Sequence, residues 1–457
     1  MKQTDLLIIG GSAGGILSAT MARKAYGNID ITLIRETKTV MVPCGIPYIY
    51  GTLRSTQKNI IPDKALQDAN VNLIIDTVTK IDKENRTATT KTGETYTFKK
   101  LILATGSLPI IPSFIPGYDL KNVFAVYKNQ KYLDDLLGKV DKAENIAVIG
   151  GGFIGIEFAE QISMLGKKVT LLEMADACLW QAFDKDFTDD IENMMREKGI
   201  SVLTNTKVKK ILGNDSVEAL ELENGDKVAA DLVILGLGVK PNSKLAEESG
   251  ISINKNGAIV VDQYTRTSDP NVFAVGDCAE KKCFFTNKDV SVLLASTAAM
   301  EAKIAGCNVF QLRLVRANKG TISAFSTQIF GKTFTAAGLT EASAKKEGFA
   351  IHTGVFTTMD RHPGSLPGTH QVNIKLIFSK CSGVILGAQI SGGDSVGEMI
   401  NILSLAIQKG LTATELNTFQ VATHPLVSAS PIAYPINAAA MNAVAQSCNH
   451  LNEGLKI

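Results

Sequence analysis

Ile146-Ala147-Val148-Ile149-Gly150-Gly151-Gly152-Phe153-Ile154-Gly155 is an apolar run that breaks into glycines at G-x-G-x-x-G spacing, on Gly150, Gly152 and Gly155. The apolar part reads as a strand and Ile156 to Leu165 as a helix, so the glycines fall in the turn between them. Such a turn lets the backbone approach a pyrophosphate, which the helix N-terminus stabilises through unpaired N–H groups and its dipole. Phe153 and Ile154 belong to the same turn and to the same expected contact. The following strand, Lys168 to Leu172, ends at Glu173, about twenty residues after the glycines. A carboxylate there hydrogen-bonds both ribose hydroxyls and repels a 2′-phosphate, which favours NADH over NADPH.

The N-terminus repeats this design. Asp5-Leu6-Leu7-Ile8-Ile9 runs into Gly10-Gly11-Ser12-Ala13-Gly14-Gly15, and Ile16 to Tyr26 then reads as a helix. Ser12 replaces the middle glycine. The next strand, Asp30 to Ile34, is followed by Arg35 where a ribose-binding acid usually stands, which leaves Glu36 as the candidate for that role. Two such units in one chain imply two bound dinucleotides.

At roughly 150 residues per domain, 457 residues suggest about three domains. With 45% hydrophobic and 20% charged residues, the composition supports several sizeable cores. A formal charge of +2 leaves no footprint for nucleic acid or an anionic membrane. No run of eighteen apolar residues is present, so no membrane span is expected. Met1 to Asp5 lead straight into the first strand and leave no room for a signal peptide. Seven scattered cysteines do not form a secreted disulfide framework. The expectation is a cytoplasmic protein. No His/Cys cluster has metal-site spacing, so no metal is expected.

Three further segments complete a pattern. Thr267 to Asp277 closes an apolar strand in Gly276-Asp277; Leu101 to Gly106 contains Ala104-Thr105-Gly106; and Leu235 to Asn242 contains Gly238. In this order they resemble the pyridine nucleotide-disulfide oxidoreductases, over nearly the whole chain. The resemblance implies an α/β fold with two Rossmann-like dinucleotide-binding domains of the glutathione-reductase type, plus a C-terminal α+β dimerisation domain. It places FAD in a discontinuous domain, 1–111 and 245–320, NAD in 112–244, and a homodimer interface in 321–457. It assigns Asp277 to the flavin's ribityl chain. In the last region Thr321 to Phe330, Gln371 to Phe378 and Val384 to Ile390 read as strands, and Val396 to Lys409 as a helix.

Met41-Val42-Pro43-Cys44-Gly45-Ile46-Pro47-Tyr48 follows the first unit, and the next cysteine is Cys178, so no redox pair can form locally. Cys44 therefore resembles the redox sulfur of the single-cysteine branch: coenzyme A-disulfide reductases, persulfide or polysulfide reductases, and NADH oxidases and peroxidases. A helix start following Cys44 is expected to lower the thiol pKa. Oxidases and peroxidases of the family carry a histidine in the first glycine turn; Ala13 stands here, which resembles the reductases. Coenzyme A is then the expected substrate or bound ligand, with Arg23 and Lys24 matching a basic stretch that meets it.

Two departures from the coenzyme A-disulfide pattern stand out. Pro43 replaces a frequent asparagine, and neither Gly364-Ser365-Leu366-Pro367-Gly368 nor Ala422-Thr423-His424-Pro425-Leu426 holds the usual tyrosine. His424 resembles the partner-subunit acid/base of the two-cysteine reductases, without the usual orienting acid; Tyr434 is a second candidate for the lost tyrosine. Cys278 and Cys283 have redox-pair spacing but follow Asp277, and no redox role is expected of them. The leading expectation is NADH-driven reduction of a small disulfide, persulfide or polysulfide at Cys44. The alternatives are an NADH oxidase and an electron-transfer flavoprotein serving a redox protein.

Overall fold

In a computed structural model, residues 1–315 and 318–454 are described, with side chains through residue 446. The two glycine turns have the same geometry. Gly10 has φ +111°, and a Cβ on it would sit 2.0 Å from the Ala104 carbonyl oxygen. Gly150 has φ +110°, with the Gly236 oxygen 2.5 Å from its would-be Cβ. Five residues on, Gly15 and Gly155 pass so near Gly10 and Gly150 that a Cβ would meet their oxygens at 1.9 and 1.8 Å. These contacts pull the last glycines of each motif into their helices, Ala13–Tyr26 and Phe153–Ser163. Both helices therefore start three residues before the expected Ile16 and Ile156.

Around the first turn lies a sheet in the order Asn72–Ile75, Ile31–Arg35, Lys2–Ile9, Thr95–Leu103, Thr87–Thr90, Val78–Asp82, with Val272–Ala274 also paired to Thr95–Leu103. The first four strands and Val272–Ala274 run parallel, with Leu6 opposite both Ile31 and Lys100. Both faces are covered, which explains the unbroken apolar run of the first strand. Leu7 and Ile9 pack on one side with Tyr96, Phe98 and Val272, and Leu6 and Ile8 on the other with Ala19, Ala22 and Phe273. The second turn leaves a parallel sheet in which Leu232–Leu235 lies between Val123–Ala125 and Asn145–Ile149. Lys168–Leu172 follows in the same sheet, with its expected bounds.

Contacts divide the chain into two units: Met1–Leu171 with Lys207–Thr321, and Leu172–Thr206 with the chain from Ile322 onward. The stretch Leu172–Thr206, expected within the second nucleotide domain, is thus grouped with the C-terminal region. That unit holds an antiparallel sheet in the order Phe325–Ile329, Lys332–Gly338, Ile385–Gly392, Gln371–Ser379, Ile351–Met359. Helix Val396–Lys409, with the expected bounds, packs on Lys332–Gly338 and Ile385–Gly392, and helix Pro435–Gly454 on Ile351–Met359 and Gln371–Ser379. Lys332–Gly338 and Ile351–Met359 are strands in stretches for which the sequence reading named no element.

A polar knot explains the grouping. Asp184 donates its amide to Gln389 Oε1 (2.7 Å) and accepts from Gln389 Nε2 (2.6 Å) and from the Glu341 amide (3.1 Å). Lys375 Nζ lies 3.3 Å from Asp184, 3.2 Å from Asp186 and 3.2 Å from Glu341. Removing one member strands the others in a low-dielectric pocket. Asp184→Ala is expected to lower the unfolding free energy by about 3 kcal/mol in urea titrations. Asp189→Ala, which breaks only an exposed pair with Lys185, should cost no more than about 0.5 kcal/mol.

Candidate active site

The Cys44 loop is built from local constraints. Val40–Met41 pairs antiparallel with Ile60–Ile61, and the chain then makes two short 3₁₀ turns, Pro43–Gly45 and Pro47–Ile49. Buried Asn59 ties the first turn: its Nδ2 donates to the Val42 carbonyl at 3.0 Å and its carbonyl accepts from the Val42 amide at 2.8 Å. Buried Tyr50 stacks on Phe158 with ring centroids 5.0 Å apart. The Thr52 amide and hydroxyl both donate to Gln161 Oε1, at 2.9 and 2.8 Å. Phe158 and Gln161 lie on helix Phe153–Ser163, so the helix of the second glycine motif is fastened to the cysteine loop.

Cys44 is an exposed free thiol. The protein around Sγ still strips away part of its hydration, and this pushes the thiol pKa up; Glu157 adds to the rise, Lys128 opposes it and Asp277 reinforces it. The expectation of a helix-lowered pKa is therefore corrected, because single 3₁₀ turns follow Cys44 and carry little aligned dipole. The neighbouring Tyr48 hydroxyl is raised to about 12 by burial, then by Glu157, Glu160 and Cys44. Asp277 accepts from Ser107 Oγ at 2.7 Å, and Lys128 Nζ lies 3.0 Å from that hydroxyl and 3.4 Å from the carboxylate. Lysine and two carboxylates from three other chain segments thus act electrostatically on the thiol. Sequence reading found Cys44 and Asp277 and missed Glu157, Lys128 and Ser107. Glu157 had a signal, an acid two residues after Gly155 in the otherwise apolar first two turns of its helix, Phe153 to Ala159; Lys128 and Ser107 had none.

The dinucleotide positions fit their cofactors. No side chain caps helix Ala13–Tyr26 or helix Phe153–Ser163, leaving the N-terminal ends open to phosphate. Arg35 is buried under the first turn, where a Cβ on Gly11 would strike its Cδ at 2.5 Å. Its guanidinium forms a bidentate pair with Asp63 at 2.6 and 2.8 Å and donates to the Thr37 carbonyl at 2.9 Å. Arg35 is thus a brace under the glycine turn, and Glu36 is the exposed residue at that strand end. Asn242 ties Ala104-Thr105-Gly106 by donating its amide to the Gly106 carbonyl at 2.9 Å and its Nδ2 to the Thr105 carbonyl at 3.2 Å. Gly238 accepts from the Ile110 amide at 3.0 Å. Glu173 Oε1 accepts from the Ala175 amide at 2.7 Å. Gly276 opens the 3₁₀ turn that carries Asp277.

The expected substrate residues divide. Arg23 donates to the carbonyls of Ala69, Gly27, Ile29 and Asn70, which consumes four of its five N–H groups and makes it a loop clamp; Lys24 is the exposed cation. Exposed His424 accepts the Leu426 amide on Nδ1 at 3.3 Å, so Nε2 carries its proton. The missing orienting acid is replaced by backbone. His362, overlooked in the sequence, braces the same loop: its amide donates to the Pro425 carbonyl at 3.2 Å and its Nδ1 to the Ser428 carbonyl at 3.1 Å. Tyr434 sits edge-on to Phe419, centroids 6.3 Å apart, and burial raises its hydroxyl pKa. Cys278 and Cys283 are both free, with Cys278 in the sheet core.

Two glycine turns with uncapped helix N-termini and one exposed thiol fit the class of nucleotide-dependent oxidoreductases. The pyridine nucleotide-disulphide oxidoreductase family matches residues 4–302 and its dimerisation domain matches 298–432, so the chain belongs to that family of FAD- and NAD(P)H-dependent enzymes. It is 31% identical to an NADH oxidase of Methanocaldococcus jannaschii, over 97% of this chain and 99% of the relative. It is 32% identical to an NAD(P)H sulfur oxidoreductase (CoA-dependent) of Pyrococcus abyssi, over 86% and 88% of the two chains. The solved NAD-dependent persulfide reductase of A. fulgidus superposes with a TM-score of 0.88 at 31% identity, covering 98% of this chain and 84% of its own. No helix among the described residues is long and apolar enough to cross a membrane.

The charges around Sγ set a pH expectation for the flavin-free protein. Raising a thiol pKa keeps it protonated to higher pH, so alkylation of Cys44 by iodoacetamide should rise with a midpoint above the ordinary thiol value. Glu157→Gln should move that midpoint down and Lys128→Met should move it up, read by mass spectrometry of the Cys44 peptide.

Proposed function

We propose that this protein is a cytoplasmic, homodimeric, NADH-dependent flavoenzyme that reduces a low-molecular-weight disulfide, persulfide or polysulfide at Cys44, with coenzyme A species as the first candidates. The observation that carries the reading is an unpaired, solvent-reachable thiol set among Glu157, Lys128 and Asp277, beside the helix of the second nucleotide turn. When bound, FAD supplies the two-electron link between nicotinamide and sulfur. Cys44 thiolate attacks one sulfur of R–S–S–R′, forming the Cys44–S–S–R bond and releasing R′S⁻. Two electrons and a proton then free RSH and regenerate the thiolate. The sum is RSSR′ + NADH + H⁺ → RSH + R′SH + NAD⁺. Lys128 is placed to favour the thiolate electrostatically, while burial first and Glu157 second shift the thiol toward its protonated form.

His424, with its proton on Nε2, is the candidate donor to the departing thiolate of the partner subunit's site. Its neighbours Leu426, Val427 and Ile432 are 51%, 70% and 95% exposed in the single chain, as an interface face would be. Lys24 is the candidate contact for coenzyme A phosphates.

Cys44→Ser should retain FAD and NADH-driven bleaching of the flavin while losing anaerobic disulfide or persulfide reduction by at least about 100-fold. Undiminished thiol production in that variant would overturn the proposal. The oxidase reading draws on the relative from M. jannaschii, and Ala13 stands against it. Oxygen consumption equal to the best sulfur-acceptor rate would favour it. The dinucleotide preference rests on Glu173: Glu173→Ala should narrow the NADH-over-NADPH ratio in kcat/KM by about tenfold or more.

A further inference from the structure

Two charged side chains lie deep beneath the Gly276–Asp277 turn, and the chemistry above uses neither. Lys281 and Glu301 have side chains only 2% and 1% exposed, with Nζ and Oε1 3.0 Å apart. Both reach Gly276, through the two peptide groups that flank its Cα. Glu301 Oε2 accepts from the Gly276 amide at 2.8 Å, and Lys281 Nζ donates to the Gly276 carbonyl at 2.7 Å, to the Ala279 carbonyl at 2.8 Å and to Glu301 Oε2 at 3.1 Å. Glu301 Oε1 is buried and accepts no hydrogen bond.

A buried pair of this kind is a poor investment for stability alone, since apolar side chains of similar volume fill the space at no loss. What apolar side chains cannot do is hold one residue by both its N–H and its C=O. Gly276 gains from such a hold because its φ of +75° calls for glycine, the residue with the most conformational freedom to lose, and the next residue is Asp277. The Asp277 side chain is 20% exposed and oriented by Ser107 and Lys128, so the far side of the turn is already specified. Lys281 and Glu301 specify the near side.

We propose that the Lys281–Glu301 pair is a positioning device for the flavin site, clamping Gly276 by its own N–H and C=O so that Asp277 is presented in one orientation to the ribityl chain. The proposal rests on the reading of Asp277 as a flavin contact. Neither Lys281 nor Glu301 touches the cofactor; both act through the turn.

The test uses the full-length protein, stripped of flavin and titrated with FAD while protein fluorescence is followed. Lys281→Met/Glu301→Leu keeps the space filled without charge, and Lys281→Met/Glu301→Gln returns one oxygen for the Gly276 amide. The first double variant should bind FAD at least about tenfold more weakly and shift the midpoint potential and visible spectrum of the flavin it holds. The second should recover most of the affinity. The melting temperature of the flavin-free protein should be similar in both. Unchanged FAD affinity and spectrum in the first variant overturns the proposal. So does a loss of affinity that merely follows the melting temperature of the flavin-free protein across the variants. Asp277→Ala separates the two layers of argument: if it leaves FAD affinity intact, the reading of Asp277 fails; if it weakens FAD while the first double variant does not, only the clamp fails.

Discussion

A carbonyl oxygen placed about 2 Å from where a Cβ would be is the constraint on which the structure depends. It occurs at Gly10 and Gly15 in the first glycine turn (2.0 and 1.9 Å) and at Gly150 and Gly155 in the second (2.5 and 1.8 Å). Any other residue would push each helix away from its strand, and the open N-terminal ends would no longer face a pyrophosphate. The rest of the site inherits its position from these turns. Helix Phe153–Ser163 brings Phe158 and Gln161 to the cysteine loop, and the same helix carries Glu157 into range of Cys44.

The surroundings of Cys44 bear on how a thiol with no local cysteine partner reacts. A second cysteine in a redox pair normally serves as leaving group and partner. Here Lys128 is the only cation among the groups that shift the thiol, and it is already shared with Ser107 and Asp277. Burial first and Glu157 second push the thiol pKa up, which holds the thiol toward its protonated form. Arg35 illustrates the opposite use of charge. Paired to Asp63 and buried, it supports the first turn mechanically, where a free arginine would compete for the phosphates.

Much of this was legible because it depends on chain-local rules. The glycine spacings, the strands that precede them and the lone Cys44 are read within windows of ten to twenty residues, and helix Val396–Lys409 follows from its apolar spacing and the glycine that ends it. Arg23 was misplaced because a basic residue at a helix end looks alike whether it faces solvent or turns back on four carbonyls. The strand Ile351–Met359 was missed because its alternation is blurred by Gly354 and a run of threonines. Its place at the edge of the sheet comes from pairing with Gln371–Ser379.

The sequence by itself determined two nucleotide turns, a single candidate redox sulfur and the family, because each is encoded in residues that are neighbours along the chain. Only the tertiary structure decided the surroundings of that sulfur. Glu157, Lys128 and Asp277 are separated from Cys44 by between 84 and 233 positions, and nothing in local spacing says they share one electrostatic environment. The same holds for Lys281 and Glu301, whose meeting under Gly276 requires a helix to return across the turn. Electrostatic effects act through space, so their sign at Cys44 became readable only once the chain was folded.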